Sequence, residues 1–267
     1  MPGDRVRRII QTCDASPGSR YGEMMDISGA VNRAYCAAHG YEYLEFRGIK
    51  FGVHAWHACM NRMSLLREEV ARPAAERGWV AYMDADAMVV LPGERLESVT
   101  SEPESRGKLL LICRGCNDNP VHLEDINTGV LFFDTAHPDA ERFLAAWSGI
   151  MEMTATPDML RASSSPFSMV AGNLLIDDQS SLSMLISVLR VMGAAPRLVR
   201  RFCGEHAQRF NYNGGIIAQQ IRPADRQLHM DERIAGLRQR AAAVAQAALP
   251  EAPAQEPRRR GRGAAIM

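Results

Sequence analysis

Apolar positions along the chain switch between two spacings, and the switches predict an alternation of strands and helices. Arg7 to Thr12 reads as a first strand, followed by a loop with Cys13, Asp14, Pro17 and Gly18. From Met24 to Ala38 apolar residues recur at helical spacing, and Gly40 is placed to cap that helix. Tyr41 to Arg47 alternates as a second strand. A second helix is predicted from about His57 to Arg72, with Met60, Met63, Leu66 and Val70 on one face and Pro73 as its stop. Trp79 to Val90, bounded by Gly78 and by Pro92-Gly93, reads as a buried strand. Lys108–Cys113 and Gly129–Phe133 follow as strands, and Pro138–Ile150 as a helix turning Phe143, Leu144 and Trp147 inward. Met153 to Gly172, rich in Ser, Pro, Thr and Met, is predicted to be a mobile loop, and Asp177 to Met192 a helix. The alternation argues for an α/β sheet with crossovers. Residues 1–240 are predicted to form one domain and 241–267 a disordered Ala/Pro/Arg tail, in which Ala241 to Leu249 could continue a helix as far as Pro250.

The apolar run Trp79–Val90 carries two carboxylates, Asp84 and Asp86, one residue apart. Buried carboxylates are costly unless they are paired or hold a metal. In an extended segment the two point to the same side, where their hard oxygens suit a divalent cation bridging the phosphates of a nucleotide.

Composition narrows the classes further. The chain has 267 residues, enough for a sizeable core, and 46% hydrophobic with 23% charged residues is ordinary for a globular protein. The 31 basic and 31 acidic side chains cancel, so no global field draws nucleic acid or an anionic membrane. No apolar run approaches a membrane span, and Met1 to Arg5 lacks a signal peptide's apolar stretch, so the expectation is a cytoplasmic protein without an integral membrane segment. The six cysteines have no disulfide-framework spacing. Cys113 and Cys116 do have zinc-ligand spacing, and Cys203 with His206 could add a second pair, but buried thiols at a strand end explain them as well. Arg258 to Arg262 is a basic stretch best read as a flexible solubilising end.

The order of several short blocks resembles a known family. Tyr21, Ile27-Ser28, Asn32-Arg33-Ala34-Tyr35 and His39-Gly40-Tyr41 come first, then Asn61-Arg62-Met63, the Asp84/Asp86 strand, Asn127-Thr128-Gly129, Phe143 to Trp147, and Asp177-Asp178-Gln179-Ser180. Together, over residues 8 to 190, they resemble the galactosyl-, xylosyl- and mannosyltransferases of the yeast Golgi and of plant xyloglucan synthesis. The resemblance implies a GT-A, Rossmann-like fold with a single mixed central sheet flanked by helices. It implies manganese (or magnesium), a nucleotide-diphosphate sugar donor with a UDP-sugar favoured, and retention of anomeric configuration. Asp84 and Asp86 would sit at the metal and diphosphate, Asp177, Asp178 and Gln179 on the sugar and acceptor side, and His229 would complete the metal shell. The family's cationic helix position passes to Arg62, and its diphosphate clamp to Arg233 or Arg238. The family's membrane anchor has no counterpart, so the acceptor, whether glycan, lipid, peptide or small molecule, need not be a secretory glycan.

The chemistry fits these residue types. A metal would stabilise the charge left on the diphosphate as a Lewis acid, and an arginine would add bidentate phosphate contacts. A retaining transfer passes through an oxocarbenium-like centre that wants a carboxylate nearby, as nucleophile or electrostatic stabiliser; Asp178 or Asp177 could be that group. Asn127 and the bare backbone of Gly129 could approach the donor sugar, and Asp14 and Tyr21 could frame the nucleoside. Plainer readings stand beside these. Asp177 could be only a helix N-cap, Asn127-Thr128-Gly129 a turn, Asp14 a solvated loop carboxylate, and His229 a structural histidine. Two other functions compete: an inactive scaffold that kept the fold, and a sugar nucleotidyltransferase. The latter would want a Gly-rich, basic loop after the first strand, where Cys13 to Arg20 has one Gly and one Arg.

Overall fold

The computed structural model describes residues 5–16, 18–115, 124–163, 169–170, 173–174, 177–202, 210–211, 215–219 and 230–247. In chain order its strands are β1 (Val6–Cys13), β2 (Glu42–Arg47), β3 (Trp79–Asp84), β4 (Ala87–Val89), β5 (Leu110–Cys113), β6 (Asn127–Asp134), β7 (Met169–Val170), β8 (Asn173–Leu174), β9 (Val199–Phe202) and β10 (Ile217–Gln219). The α-helices are α1 (Tyr21–His39), α2 (Asn61–Val70), α3 (Glu97–Thr100), α4 (Ala140–Thr154), α5 (Pro157–Ala162), α6 (Asp178–Val191), α7 (Ala195–Leu198) and α8 (Met230–Gln246). Six strands form one mixed sheet in the order β2-β1-β3-β6-β5-β9. β1 runs parallel to both β2 and β3, whereas β6 is antiparallel to β3 and β5.

The sheet is covered on both faces, which is why β3 is apolar at nearly every position. Val80 and Tyr82 join a core with Met60, Met63 and Leu66 before and within α2, Phe143 and Trp147 of α4, and Leu182 of α6. Trp79, Ala81 and Met83 face the other way, onto Tyr35 and Cys36 of α1 and onto Phe202 and Phe210. α1 stops at Gly40, whose φ of 72° is the left-handed cap that glycine adopts freely, with its N–H bonded to the Cys36 carbonyl. α8 packs Ile234 and Leu237 onto Met24 and Met25 of α1.

Three expectations change. The run Trp79–Val90 is two strands. β3 ends at Asp84, Ala85 and Asp86 form a turn, and β4 leaves the main sheet to pair antiparallel with β10. The turn is stable because buried side chains replace the sheet bonds it gives up. Gln11 Nε2 donates to the carbonyls of Asp84 and Ala87, both at 3.0 Å, and Ser28 Oγ to that of Ala85 at 2.6 Å. Asn32 donates to the Ala87 carbonyl and accepts the Val89 N–H at 2.9 Å. Secondly, the expected loop after Met153 contains α5, which starts where Thr156 caps it and Pro157 takes the first helical position; residues 164–168 and 171–172 lie outside the described residues. Thirdly, the helix predicted from His57 begins as a 3-10 turn, Ala55–Met60, before α2. α8 runs on past residue 240, with Val244 buried, and residues 248–267 lie outside the described residues. No helix among the described residues is long and apolar enough to cross a membrane.

Candidate functional site

A cleft of about 610 Å³ opens at the carboxyl ends of the parallel strands β1 and β3, where α/β sheets bind ligands. Its lining includes Asp14 and Tyr21 after β1, Trp56 and Arg62, the turn Asp84–Asp86, Asp177, Gln219 and Arg233. The sheet order therefore gathers residues spread over more than two hundred positions of sequence.

Two buried arginines organise the carboxylates. Arg62, 2% exposed, pairs with Asp84 Oδ1 at 3.0 Å and with Asp178 Oδ2 at 2.9 Å, and also donates to the carbonyls of Cys59 and Thr128. Its guanidinium lies 5.0 Å from the Tyr82 ring centroid, a cation–π contact. Arg233 comes from α8 and pairs with Asp86 Oδ2 at 2.6 Å, its guanidinium 5.4 Å from the Tyr21 ring centroid. Burial works against both cations, and the facing carboxylates (Asp178 and Asp84 for Arg62, Asp86 for Arg233) outweigh it, so both arginines are held more firmly protonated than usual. Burial raises the Asp84 carboxyl above the usual carboxylate range; Arg62 opposes the rise and the carboxylates of Asp86 and Asp178 add to it.

The remaining sequence-derived residues divide. Asp177 caps α6, its Oδ1 accepting the Ser180 N–H at 2.7 Å, and it also lines the cleft. Asp178 is buried on Arg62. Gln179 reaches β6, its Oε1 3.3 Å from the Thr128 N–H. Asn127 Oδ1 accepts the Gly129 N–H at 2.8 Å and the Asn211 amide at 3.0 Å, so it closes its own turn and ties in a second segment. The bare side of Gly129 is covered by the Gln219 amide: a Cβ there would lie 2.2 Å from Nε2. Asp14 accepts from the Ser16 N–H and from Ser19 Oγ at 2.5 Å, which folds the loop at the cleft edge. Arg238 is on the surface with Glu23, away from the cleft lining. His229, like Cys116, Cys203 and His206, lies outside the described residues; Cys113 is a buried thiol.

Sequence reasoning missed Gln219 and Trp56. Gln219 ends a three-residue strand, too short for its alternation to register, and donates to Asp86 Oδ1 at 3.0 Å. Trp56 sits in the 3-10 turn, with Nε1 bonded to the Ser163 carbonyl. That turn is held by His57, whose Nδ1 accepts the N–H of Val53 and of His54.

Among the described residues no three His, Cys, Asp or Glu side chains meet as a metal cluster. The oxygens present nevertheless suit a hard divalent cation. Among the described residues, three carboxylates, Asp84, Asp86 and Asp178, face two guanidinium groups, and the buried Gln219 Oε1 has no hydrogen-bond partner.

No protein-family profile matches this sequence, and no curated protein sequence matches it. Solved structures do match. A glycosyltransferase involved in the glycosylation of the major capsid of PBCV-1 superposes with a TM-score of 0.56 at 12% identity, over 87% of this chain and 99% of that one. GlyE of Streptococcus pneumoniae TIGR4 gives 0.47 at 13% identity, over 90% of this chain and 63% of its own. Mouse xyloside xylosyltransferase 1 gives 0.42 at 9%, over 84% and 100%. The chain has the α/β fold of the GT-A glycosyltransferases. At this identity the likeness speaks for the fold.

Proposed function

We propose that this chain is a metal-dependent, retaining glycosyltransferase that moves a hexosyl or pentosyl group from a nucleotide-diphosphate sugar, a UDP-sugar first among them, to an acceptor hydroxyl. The observation that carries the reading is the cleft at the ends of β1 and β3, lined by Asp84 and Asp86, which Arg62 (tied behind to the buried Asp178) and Arg233 hold in place. Asp84 and Asp86 would hold Mn2+ or Mg2+, which supplies Lewis-acid stabilisation of the diphosphate charge. Arg233, at the cleft wall and paired with Asp86, would contribute its charge to the phosphate oxygens, and Asp14 and Tyr21 border the nucleoside side. Arg62 holds Asp178 and Asp84 in fixed orientation. Asp177, which caps α6 and lines the cleft, would be the carboxylate facing a developing oxocarbenium centre or a sugar hydroxyl, with Gln179 fixing α6 behind it. A cytoplasmic setting belongs to the same reading, supported by the burial of Cys13, Cys36 and Cys113 as free thiols.

The test is thermal stability with UDP, GDP, CDP or ADP, each with and without Mn2+. A ligand that binds the native state raises the melting temperature by mass action. A manganese-dependent rise with one nucleotide, lost in Asp86→Ala, is expected. Slow release of free sugar from the matching nucleotide sugar would separate an enzyme from a scaffold. No response to any nucleotide overturns the proposal.

A further inference from the structure

Among the described residues, the Gln219 amide at the Asp84–Asp86 turn has a buried oxygen with no hydrogen-bond partner. Gln219 is 7% exposed, and its amide is wedged between Asp86 and the bare face of Gly129. A carboxylate only accepts, so Nε2 must face Asp86, which it does at 3.0 Å, and Oε1 is the free end. That oxygen is buried in the cleft wall without a hydrogen-bond partner among the described residues. An unpaired buried amide oxygen costs about 1–3 kcal/mol, and such an atom in a native site calls for an ion or ligand that completes it. Asp86 accepts one bond on each of its oxygens, which leaves lone pairs on both.

We propose that Gln219 Oε1 is the third protein oxygen, after Asp84 and Asp86, that ligates a hard divalent cation in this cleft. The inference rests on the donor-site reading above for the presence of a metal and goes beyond it in naming the ligand and the selectivity. Carboxylate and carbonyl oxygens favour Mg2+ and Mn2+, whereas an imidazole in the set would favour Zn2+ and Ni2+. An amide also brings no charge, so the excess of carboxylates over guanidinium groups is left for the cation to neutralise. With Gln219 in place the set needs no histidine, and His229 is dispensable for metal.

The experiment titrates MnCl2, MgCl2, NiCl2 and ZnCl2 into the full chain by calorimetry, with and without UDP, for wild type, Gln219→Leu, Gln219→Glu, Gln219→His and His229→Ala. Wild type is expected to bind Mn2+ and Mg2+. Gln219→Leu should bind Mn2+ at least roughly tenfold more weakly, the lower end of what disturbing a metal site costs. Gln219→Glu keeps an oxygen but loses the amide donor, so it should bind Mn2+ as tightly as wild type or more so. A purely structural role in steadying Asp86 would instead make Gln219→Glu the worst variant, by carboxylate repulsion. Gln219→His should shift preference towards Zn2+ and Ni2+, and His229→Ala should match wild type. The ligand assignment is overturned if Gln219→Leu binds Mn2+ like wild type, if its Mn2+ affinity falls only when UDP is present, or if His229→Ala alone abolishes metal binding. Should Gln219→Leu fail to fold, Gln219→Glu and Gln219→His decide the matter. A wild type that binds no metal also overturns the assignment, and UDP-induced stabilisation without metal then reports separately on the nucleotide site.

Discussion

Replacing Arg62 with Met removes the charge in the cleft, and with it the cation–π contact to Tyr82, while keeping most of the side chain's apolar stem. The guanidinium is 2% exposed and joins Asp84 at 3.0 Å to Asp178 at 2.9 Å. Asp178, 4% exposed, would be left as an uncompensated buried carboxylate, whereas Asp84, 35% exposed, would be partly relieved by water. Removing one partner of a buried pair costs about 3–5 kcal/mol, and discounting the solvated half of this triad leaves about 3 kcal/mol. Against a domain stability of roughly 5–15 kcal/mol that is a large fraction. Urea denaturation followed by far-UV circular dichroism measures it at pH 8 and again at pH 5. Acid offers the stranded carboxylates a proton in place of the guanidinium, so the deficit should shrink at pH 5. Asp178→Asn in the Arg62→Met background should recover about 1–2 kcal/mol, because it removes the stranded charge. A loss below about 1 kcal/mol at pH 8, or a deficit that grows on acidification, would refute the neutralising role of Arg62.

Other consequences can be checked separately. Burial, and after it the neighbouring His54, lowers the His57 pKa from 6.5 to about 4, so the unfolded chain takes the proton first as pH falls. Its contribution is complete above pH 6.5 and is lost between 6.5 and about 4, about 3 kcal/mol in all; His57→Asn, which keeps an acceptor for the two N–H groups, should flatten that part of the stability–pH curve. Gly52→Ala should destabilise the same turn, since Gly52 has φ +99° and a Cβ would fall 2.2 Å from His57 Nδ1; a melting temperature within a degree of wild type would contradict this. Gly129→Ala drives a methyl into the Gln219 amide and should abolish any Mn2+-dependent shift while leaving far-UV dichroism intact. Trp147→Phe loses the indole bonds to Ser181 Oγ at 2.9 Å and to the Asp178 carbonyl at 3.2 Å, a cost of about 2 kcal/mol in urea titration if they fasten α6 as the geometry indicates.

Much of this architecture was legible along the chain, and particular residues show why. Gly40, Pro73 and the α1 pattern act through local backbone geometry, so the helix ends lie close to where those residues mark them. The Asp84/Asp86 pair stood out because carboxylates inside an apolar run demand a compensating partner wherever the run folds. Arg62 and Arg233 were legible only through the resemblance, as substitutes for cations the family carries elsewhere. The break between β3 and β4 was not legible, because the side chains that satisfy the turn, Gln11, Ser28 and Asn32, belong to other elements and look like ordinary polar residues in their own segments. Gln219 was invisible for a related reason: a three-residue strand carries too little periodicity, and its partner Asp86 is more than a hundred positions away.

The sequence by itself therefore determined the alternation of strands and helices, the buried strand beginning at Trp79, and the presence of carboxylates that require neutralisation. All of these follow from hydrophobic period and local propensity, which act over a few residues. Only the tertiary structure decided which cation neutralises which carboxylate, that Asp86 takes Arg233 from α8 while Asp84 takes Arg62 from α2, and that a glutamine amide lies on Gly129 with one oxygen unpaired among the described residues. Such pairings depend on distances between segments far apart in the chain, and those distances are set by how the sheet is ordered and how its helices pack.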